Sequence, residues 1–190
     1  MRSVRNIAVS GIDQLWDASL GISSSGADCQ PTSYRVMHKM FKLVPLAAGD
    51  QFIDIGCGRG RIMCFAARQP ITRVAGVEIG KDHAAYAQRN MEHLRGRLVQ
   101  NWSVTAGSAA DFDLTGGTVF YMYNPFGGAL FTEVIGKMRQ VAAVAKKPIR
   151  LMYINPVLRA ELDHSGWLAP TSVLHTDRHG KVAAQLYESR

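Results

Sequence analysis

One segment limits the possible folds more than any other: Phe52-Ile53-Asp54-Ile55-Gly56-Cys57-Gly58-Arg59-Gly60-Arg61. A short apolar run entering a glycine-rich turn that opens into a helical pattern is the first βα unit of a parallel sheet wrapped by helices. The glycines let the backbone come close to a ligand and take positive φ. A GxG after a strand serves dinucleotide sites and plain tight turns alike, so neighbouring residues must decide. A dinucleotide fingerprint wants glycine at the sixth position, and Arg61 stands there. Asp54, two residues before the first glycine, would repel a pyrophosphate but suits a ligand carrying an ammonium group. An NAD-binding oxidoreductase is therefore the weaker reading.

The rest of the chain extends this unit. Residues Thr32–Val44 carry helical spacing, with Thr32 as expected N-cap and Pro45 as stop. Strands are predicted at Gln51–Ile55, Arg73–Glu78, Leu98–Thr105, Thr118–Tyr123 and Ile149–Ile154. Helices are predicted at Gly60–Arg68, Asp82–Arg95, Leu130–Ala145 and Val157–Leu162. Two last strands, Ser172–Thr176 and Lys181–Leu186, are joined by Asp177-Arg178-His179-Gly180, too short for a crossover helix, so they form an antiparallel hairpin. The expectation is an α/β, doubly wound, Rossmann-like sheet of seven strands, mostly parallel, with a C-terminal antiparallel hairpin and an N-terminal helical cap. The cap is assigned to residues 1–45 and the ligand-binding domain to residues 46–190, with Gly21–Gly26 as a hinge between cap and crevice.

Asp54-x-Gly56-x-Gly58-x-Gly60 resembles the first motif of the class I SAM-dependent methyltransferases. The resemblance implies S-adenosyl-L-methionine as cofactor, with S-adenosyl-L-homocysteine as product, and a cofactor site at Asp54, Gly56, Cys57, Gly58 and Gly60. It implies further that Glu78, 24 positions after Asp54, accepts the ribose hydroxyls and that Asp111 lies beside the adenine. From the residues alone, Asp111 reads equally as a turn carboxylate. Cys57 reads as a small loop filler, since no paired base is visible.

At the end of the fourth strand stands Tyr121-Met122-Tyr123-Asn124-Pro125-Phe126-Gly127-Gly128. It is similar to the Asn/Asp/Ser-Pro-Pro-Tyr/Phe motif of amino methyltransferases but lacks the second proline, whose place Phe126 takes. Similar loops occur in the non-SET histone-lysine methyltransferases, and Pro31-Thr32-Ser33-Tyr34 resembles their cofactor-covering loop, with Gln30 where relatives often carry an acid. The resemblance implies Asn124 and the Pro125 carbonyl as acceptor-orienting groups, Phe126 as wall of the transfer slot, and Tyr123 and Tyr34 as supporting residues. Tyr34 is expected near the methionine end of the cofactor.

A nitrogen acceptor on a protein, peptide or small amine is favoured. Ribosomal RNA is the alternative, and a non-catalytic SAM- or nucleotide-binding module is a third reading. The charge balance only weakly favours RNA: 22 Lys and Arg against 15 Asp and Glu give +7, but the cations are scattered. No metal is expected, because the three cysteines form no CxxC pair and so no four-ligand zinc pattern. That cysteine usage, with no signal-peptide core and no apolar run near membrane-spanning length, leads to the expectation of a cytoplasmic protein without a membrane partner. With 47% hydrophobic and 19% charged residues the chain can bury a core of its own. The sequence leaves the oligomeric state open.

Overall fold

The alternation of strands and helices closes into one sheet. The computed structural model describes residues 11–23, 31–175 and 182–190. They run α1 (Gly11–Leu20), α2 (Tyr34–Leu43), β1 (Gln51–Ile55), α3 (Arg61–Ala66), β2 (Arg73–Glu78), α4 (Lys81–His93), β3 (Asn101–Ala106), β4 (Val119–Tyr123), α5 (Gly128–Val144), β5 (Arg150–Ile154), α6 (Arg159–Asp163), β6 (Leu168–His175) and β7 (Val182–Ser189). The seven strands take the order β3-β2-β1-β4-β5-β7-β6. β1 to β5 are parallel, and β7 runs antiparallel between β5 and β6. The expected mixed sheet with its terminal hairpin is what forms. Strand order reverses between β1 and β4, so their carboxyl ends flank the crevice where such sheets bind ligands.

Side chains alternate across a strand, which sorts β1 into two layers. Ile53 and Ile55 pack with Phe120, Met122, Phe131 and Tyr153 on one face. Phe52 joins Tyr34, Met37, Met40 and Phe65 on the other. Asp54 shares the Phe52 face, and this parity buries a carboxyl between the sheet and the α1–α2 layer.

Three local readings shift, each for a visible reason. The N-cap of α2 is Ser33, whose hydroxyl accepts the Val36 N–H at 3.4 Å. Thr32 is unavailable for capping because its hydroxyl is hydrogen-bonded to the Tyr121 hydroxyl. β3 begins at Asn101, since the Leu98 and Val99 N–H groups both donate to the Ala67 carbonyl, at 2.9 and 3.1 Å. β6 starts at Leu168 and tolerates Pro170 because it is an edge strand, with a register shift between Pro170 and Ser172. Residues 177–180, Gln30, and 24–26 of the expected hinge lie outside the described residues.

The N-terminal segment is fastened to the glycine turn. Arg61 is 3% exposed and pairs with Asp17 of α1, its Nη2 lying 2.6 Å from Oδ2. Its Nη1 donates to the Thr32 carbonyl at 3.3 Å. Asp13 accepts the Tyr34 N–H at 3.0 Å, and Asp17 accepts the Tyr34 hydroxyl at 2.7 Å. The residue that breaks the dinucleotide fingerprint therefore clamps α1 and residues 32–34 beside the turn. Among the described residues no helix is long and apolar enough to cross a membrane.

Candidate functional site

Each glycine of the turn serves a separate purpose. Gly56, at φ 77°, continues β1 so that Pro125 can close over it: a Cβ there would lie 2.7 Å from the Pro125 Cβ. The N–H groups of Gly56 and Cys57 both donate to the Val77 carbonyl, at 2.9 and 3.0 Å. Gly58 turns its N–H onto Glu78 Oε2 at 2.8 Å. Gly60 begins α3 pressed on α4, where an added Cβ would come 3.0 Å from the Ala87 Cβ. Gly60 thus packs helices, whereas Gly56 and Gly58 line cavity surface.

Asp54 is fully buried, and neither of its carboxyl oxygens has a hydrogen-bond partner. Burial first, and the negative charge of Glu78 second, push this carboxyl well above the usual carboxylate range. An orphaned buried acid is costly unless a ligand completes it. Asp54 faces a small annex of about 50 Å3, walled by Thr32, Cys57, Arg61 and Tyr121. Gly56, Gly58 and Tyr123 line both this annex and a main cavity of about 530 Å3. The main volume falls within the roughly 300–1,000 Å3 of small-ligand and cofactor sites.

Glu78 closes β2 on the main cavity. Besides the Gly58 contact, its Oε1 accepts the Gly80 N–H at 2.9 Å. Each oxygen retains acceptor capacity, because a carboxylate offers about four lone-pair sites. Next to it stand Ile79, 74% exposed and able to cover a flat ring, and the Gly107-Ser108-Ala109 turn.

Across the crevice the β4 end supplies Tyr123, Asn124, Pro125 and Phe126 to the same cavity. Burial raises the Tyr123 hydroxyl pKa. Asn124 takes φ 38°, in the left-handed region. Its amide is oriented by a relay: the Leu158 N–H donates to the Tyr153 hydroxyl at 3.3 Å, which donates to Asn124 Oδ1 at 3.1 Å.

Two sequence candidates stand elsewhere than expected. Tyr34 lines neither cavity: its hydroxyl is committed to Asp17 and its ring lies against Phe65 and Trp16, so Thr32 takes the place at the annex. Asp111 is exposed and outside the cavity lining. Its N–H donates to the Ser108 carbonyl at 3.2 Å, in the turn that brings Ser108 and Ala109 to the wall. Sequence reasoning missed Thr32, Tyr153 and Asn155. For Asn155 a signal was present, since Asn155-Pro156 at the end of β5 repeats Asn124-Pro125 at the end of β4. A second cavity, about 740 Å3, opens near Asp50, Lys146, Lys147 and Arg150 at the amino end of the sheet. It lies at the edge opposite to the one where doubly wound sheets place ligands, and among the described residues no orphaned buried group faces it. Among the described residues no group of histidine, cysteine or carboxylate side chains could hold a metal ion.

Comparison with known proteins bears on this crevice. Residues 30–112 match the family model described as histone methylation protein DOT1. The chain is 29% identical over 94 residues to a protein-lysine N-methyltransferase of Saccharolobus islandicus, covering 49% of this chain and 57% of that protein. It is 29% identical over 119 residues to an H3 lysine-79 specific histone-lysine N-methyltransferase of Dictyostelium discoideum, covering 56% of this chain and 6% of that protein. The chain thus spans little more than half the length of the first and a small part of the second. Among solved structures, a TehB-like SAM-dependent methyltransferase from Corynebacterium glutamicum superposes with TM-score 0.60 at 12% identity, covering 81% of this chain and 87% of the other. An RNA methyltransferase from Salinibacter ruber, in complex with S-adenosyl-L-homocysteine, gives TM-score 0.57 at 21% identity over 84% and 92%. The fold is that of the class I SAM-dependent methyltransferase superfamily, with a partial sequence likeness to the non-SET histone-lysine methyltransferases.

Proposed function

We propose that the chain is a SAM-dependent methyltransferase that delivers a methyl group to nitrogen on a protein, peptide or small amine. The observation that carries the reading is the orphaned carboxyl of Asp54, in an annex that shares Gly56, Gly58 and Tyr123 with a cofactor-sized cavity also lined by the Asn124–Phe126 loop. The match to protein-lysine methyltransferases supports a protein acceptor. An RNA base is the second reading, favoured by the RNA methyltransferase among the structural neighbours. Residues 1–45 act as a cap, of which Asp17 and Thr32 are held by Arg61, and residues 46–190 as the cofactor domain.

The residues present fit the cofactor. Asp54 matches its ammonium group and Glu78 its ribose hydroxyls, and Ile79 with Ala109 offers apolar cover for a purine. Bound there, SAM supplies a methyl group already made electrophilic by its sulfonium. What remains for the protein is positioning, because displacement needs an in-line approach to about 3–3.5 Å. Asn124 Oδ1, with Tyr153 on one lone pair, keeps a second for an N–H of the acceptor. The Pro125 carbonyl acts as the other acceptor. Tyr123 and Phe126 exclude water, and that desolvation favours the neutral amine, the only form with a lone pair.

Calorimetry with SAM on the intact protein tests the core of this reading, with tritiated methyl transfer into a cell extract as the second arm. Binding, followed by label that protease removes and nuclease does not, is the expected result. Label removed by nuclease transfers the function to RNA. Binding without label leaves a SAM-holding module, and absence of binding rejects the reading altogether.

A further inference from the structure

Among the described residues, the non-glycine residues with positive φ are Asn124 at 38° and Asn155 at 46°. They are neighbours in space. Tyr123 and Ile154, the last residues of β4 and β5, are register partners, so the two asparagines leave the sheet side by side. Both line the main cavity, and each is followed by a proline. An L-residue in the left-handed region is strained, and the residue before a proline favours extended backbone. Strain repeated at two adjacent strand ends on one cavity is the pattern of a functional edge.

The two side chains are used differently. Asn124 is locked by Tyr153. Asn155 has its main chain held, with its N–H donating to the Ala183 carbonyl at 2.8 Å and its carbonyl accepting the Val157 N–H at 2.8 Å. Its amide makes no hydrogen bond to the described residues and stands exposed at the cavity mouth. If the position served only to turn the chain, glycine would take the same φ without strain. Asparagine there accepts the strain and offers one carbonyl and one NH2 to whatever enters beside Asn124.

We infer that Asn155 is a second acceptor-contacting residue, whose amide binds a neutral donor-and-acceptor group of the substrate flanking the nitrogen that Asn124 orients. This rests on the methyltransferase reading above. It assigns Asn155 to acceptor affinity and Asn124 to the geometry of the reacting atom.

Asn155→Gly tests the assignment, because it relaxes the backbone while deleting the amide. The assay uses tritiated SAM and a dilution series of whole-cell extract from the source strain deleted for this gene, beside calorimetry with SAM. The expected result is unchanged SAM affinity, a maximal rate within about twofold of wild type, and a half-saturating extract concentration raised about tenfold, the equivalent of one lost hydrogen bond. An unchanged half-saturating concentration overturns the inference and leaves the reading standing. Loss of SAM affinity in the variant also overturns it, since Asn155 would then act through the cofactor site. If the wild-type protein labels nothing, the methyltransferase reading falls and the inference falls with it.

Discussion

Replacing Asp54 by asparagine should make the ligand-free protein more stable and the cofactor complex weaker. The side chains are nearly isosteric, so the change removes a titrating group and little else. In the free protein the carboxyl is fully buried without a hydrogen bond, and burial together with Glu78 raises its pKa well above the ordinary carboxylate range. The folded protein therefore keeps a proton that the unfolded chain releases near pH 4. By linkage this group's contribution to stability is fully present below the unfolded pKa and is lost as pH rises toward the folded pKa, at about 1.4 kcal/mol per pH unit between the two. Asparagine has no such proton. The variant should melt close to wild type near pH 4 and above it at neutral pH, by about 2–4 °C per kcal/mol for a chain of this size.

Cofactor affinity should move the other way. A ligand ammonium favours the ionised carboxylate, so wild-type binding should release a proton and tighten with pH up to the folded pKa. Loss of a charge-assisted hydrogen bond costs about 1.5–3 kcal/mol, or about 10- to 150-fold in SAM affinity. Calorimetry in buffers of differing ionisation enthalpy counts the proton, and thermal melts from pH 4 to 8 read the stability arm. If Asp54→Asn binds SAM as tightly as wild type, or melts below it at pH 8 without ligand, the electrostatic account is wrong.

Other perturbations probe the supports of the site. Asp17→Ala leaves the buried Arg61 guanidinium without its carboxylate and should cost about 3–5 kcal/mol in urea unfolding. Gly56→Ala sets a Cβ 2.7 Å from that of Pro125 at a φ of 77°, and should lower the maximal methylation rate about 100-fold through displacement of the loop, with a stability loss of only about 1–3 kcal/mol. Glu78→Gln puts an NH2 where the Gly58 or Gly80 N–H must donate, so SAM binding should weaken about tenfold or more. The same change should bring the Asp54 pKa down, which shows as reduced proton release on SAM binding. At saturating SAM, an amine acceptor should give a rate that climbs with pH until the amine is neutral. A nucleobase amino group, already neutral, should give a flat profile.

The part of this architecture written in local sequence was legible as such. The run from Phe52 to Arg61 joins strand, turn and helix within a few residues, and alternation carried Glu78 to the end of its strand. What depended on distant partners was not. Arg61 read as a missing glycine, because its role exists through distant partners such as Asp17, 44 residues away. Tyr34 was expected to face the cofactor, yet Asp13 and Asp17 hold its backbone and hydroxyl toward α1. Asp111 shares a turn with residues that do reach the cavity, and residue spacing gives no way to tell the inward members of a turn from the outward ones. Asn155 required β4 and β5 to be neighbours before its likeness to Asn124 could carry meaning.

The two ends of the crevice separate by charge, and this separation has consequences for turnover. On the proposed reading Glu78, together with Asp54 once a ligand ammonium has displaced its proton, sets negative charge at the cofactor end, where part of the shift at Asp54 comes from Glu78 itself. Methyl transfer converts a sulfonium into a neutral thioether, so an acid-lined pocket attracts the donor more strongly than the spent product. On the proposed reading, the carboxyls that recruit the cofactor would also help release what remains of it. The acceptor end, built from Asn124, Asn155, Pro125 and aromatic rings, carries amides in place of carboxylates. On the same reading it would select by hydrogen-bond geometry and exclusion of water, whereas one acid in the sequence was enough to suggest the cofactor.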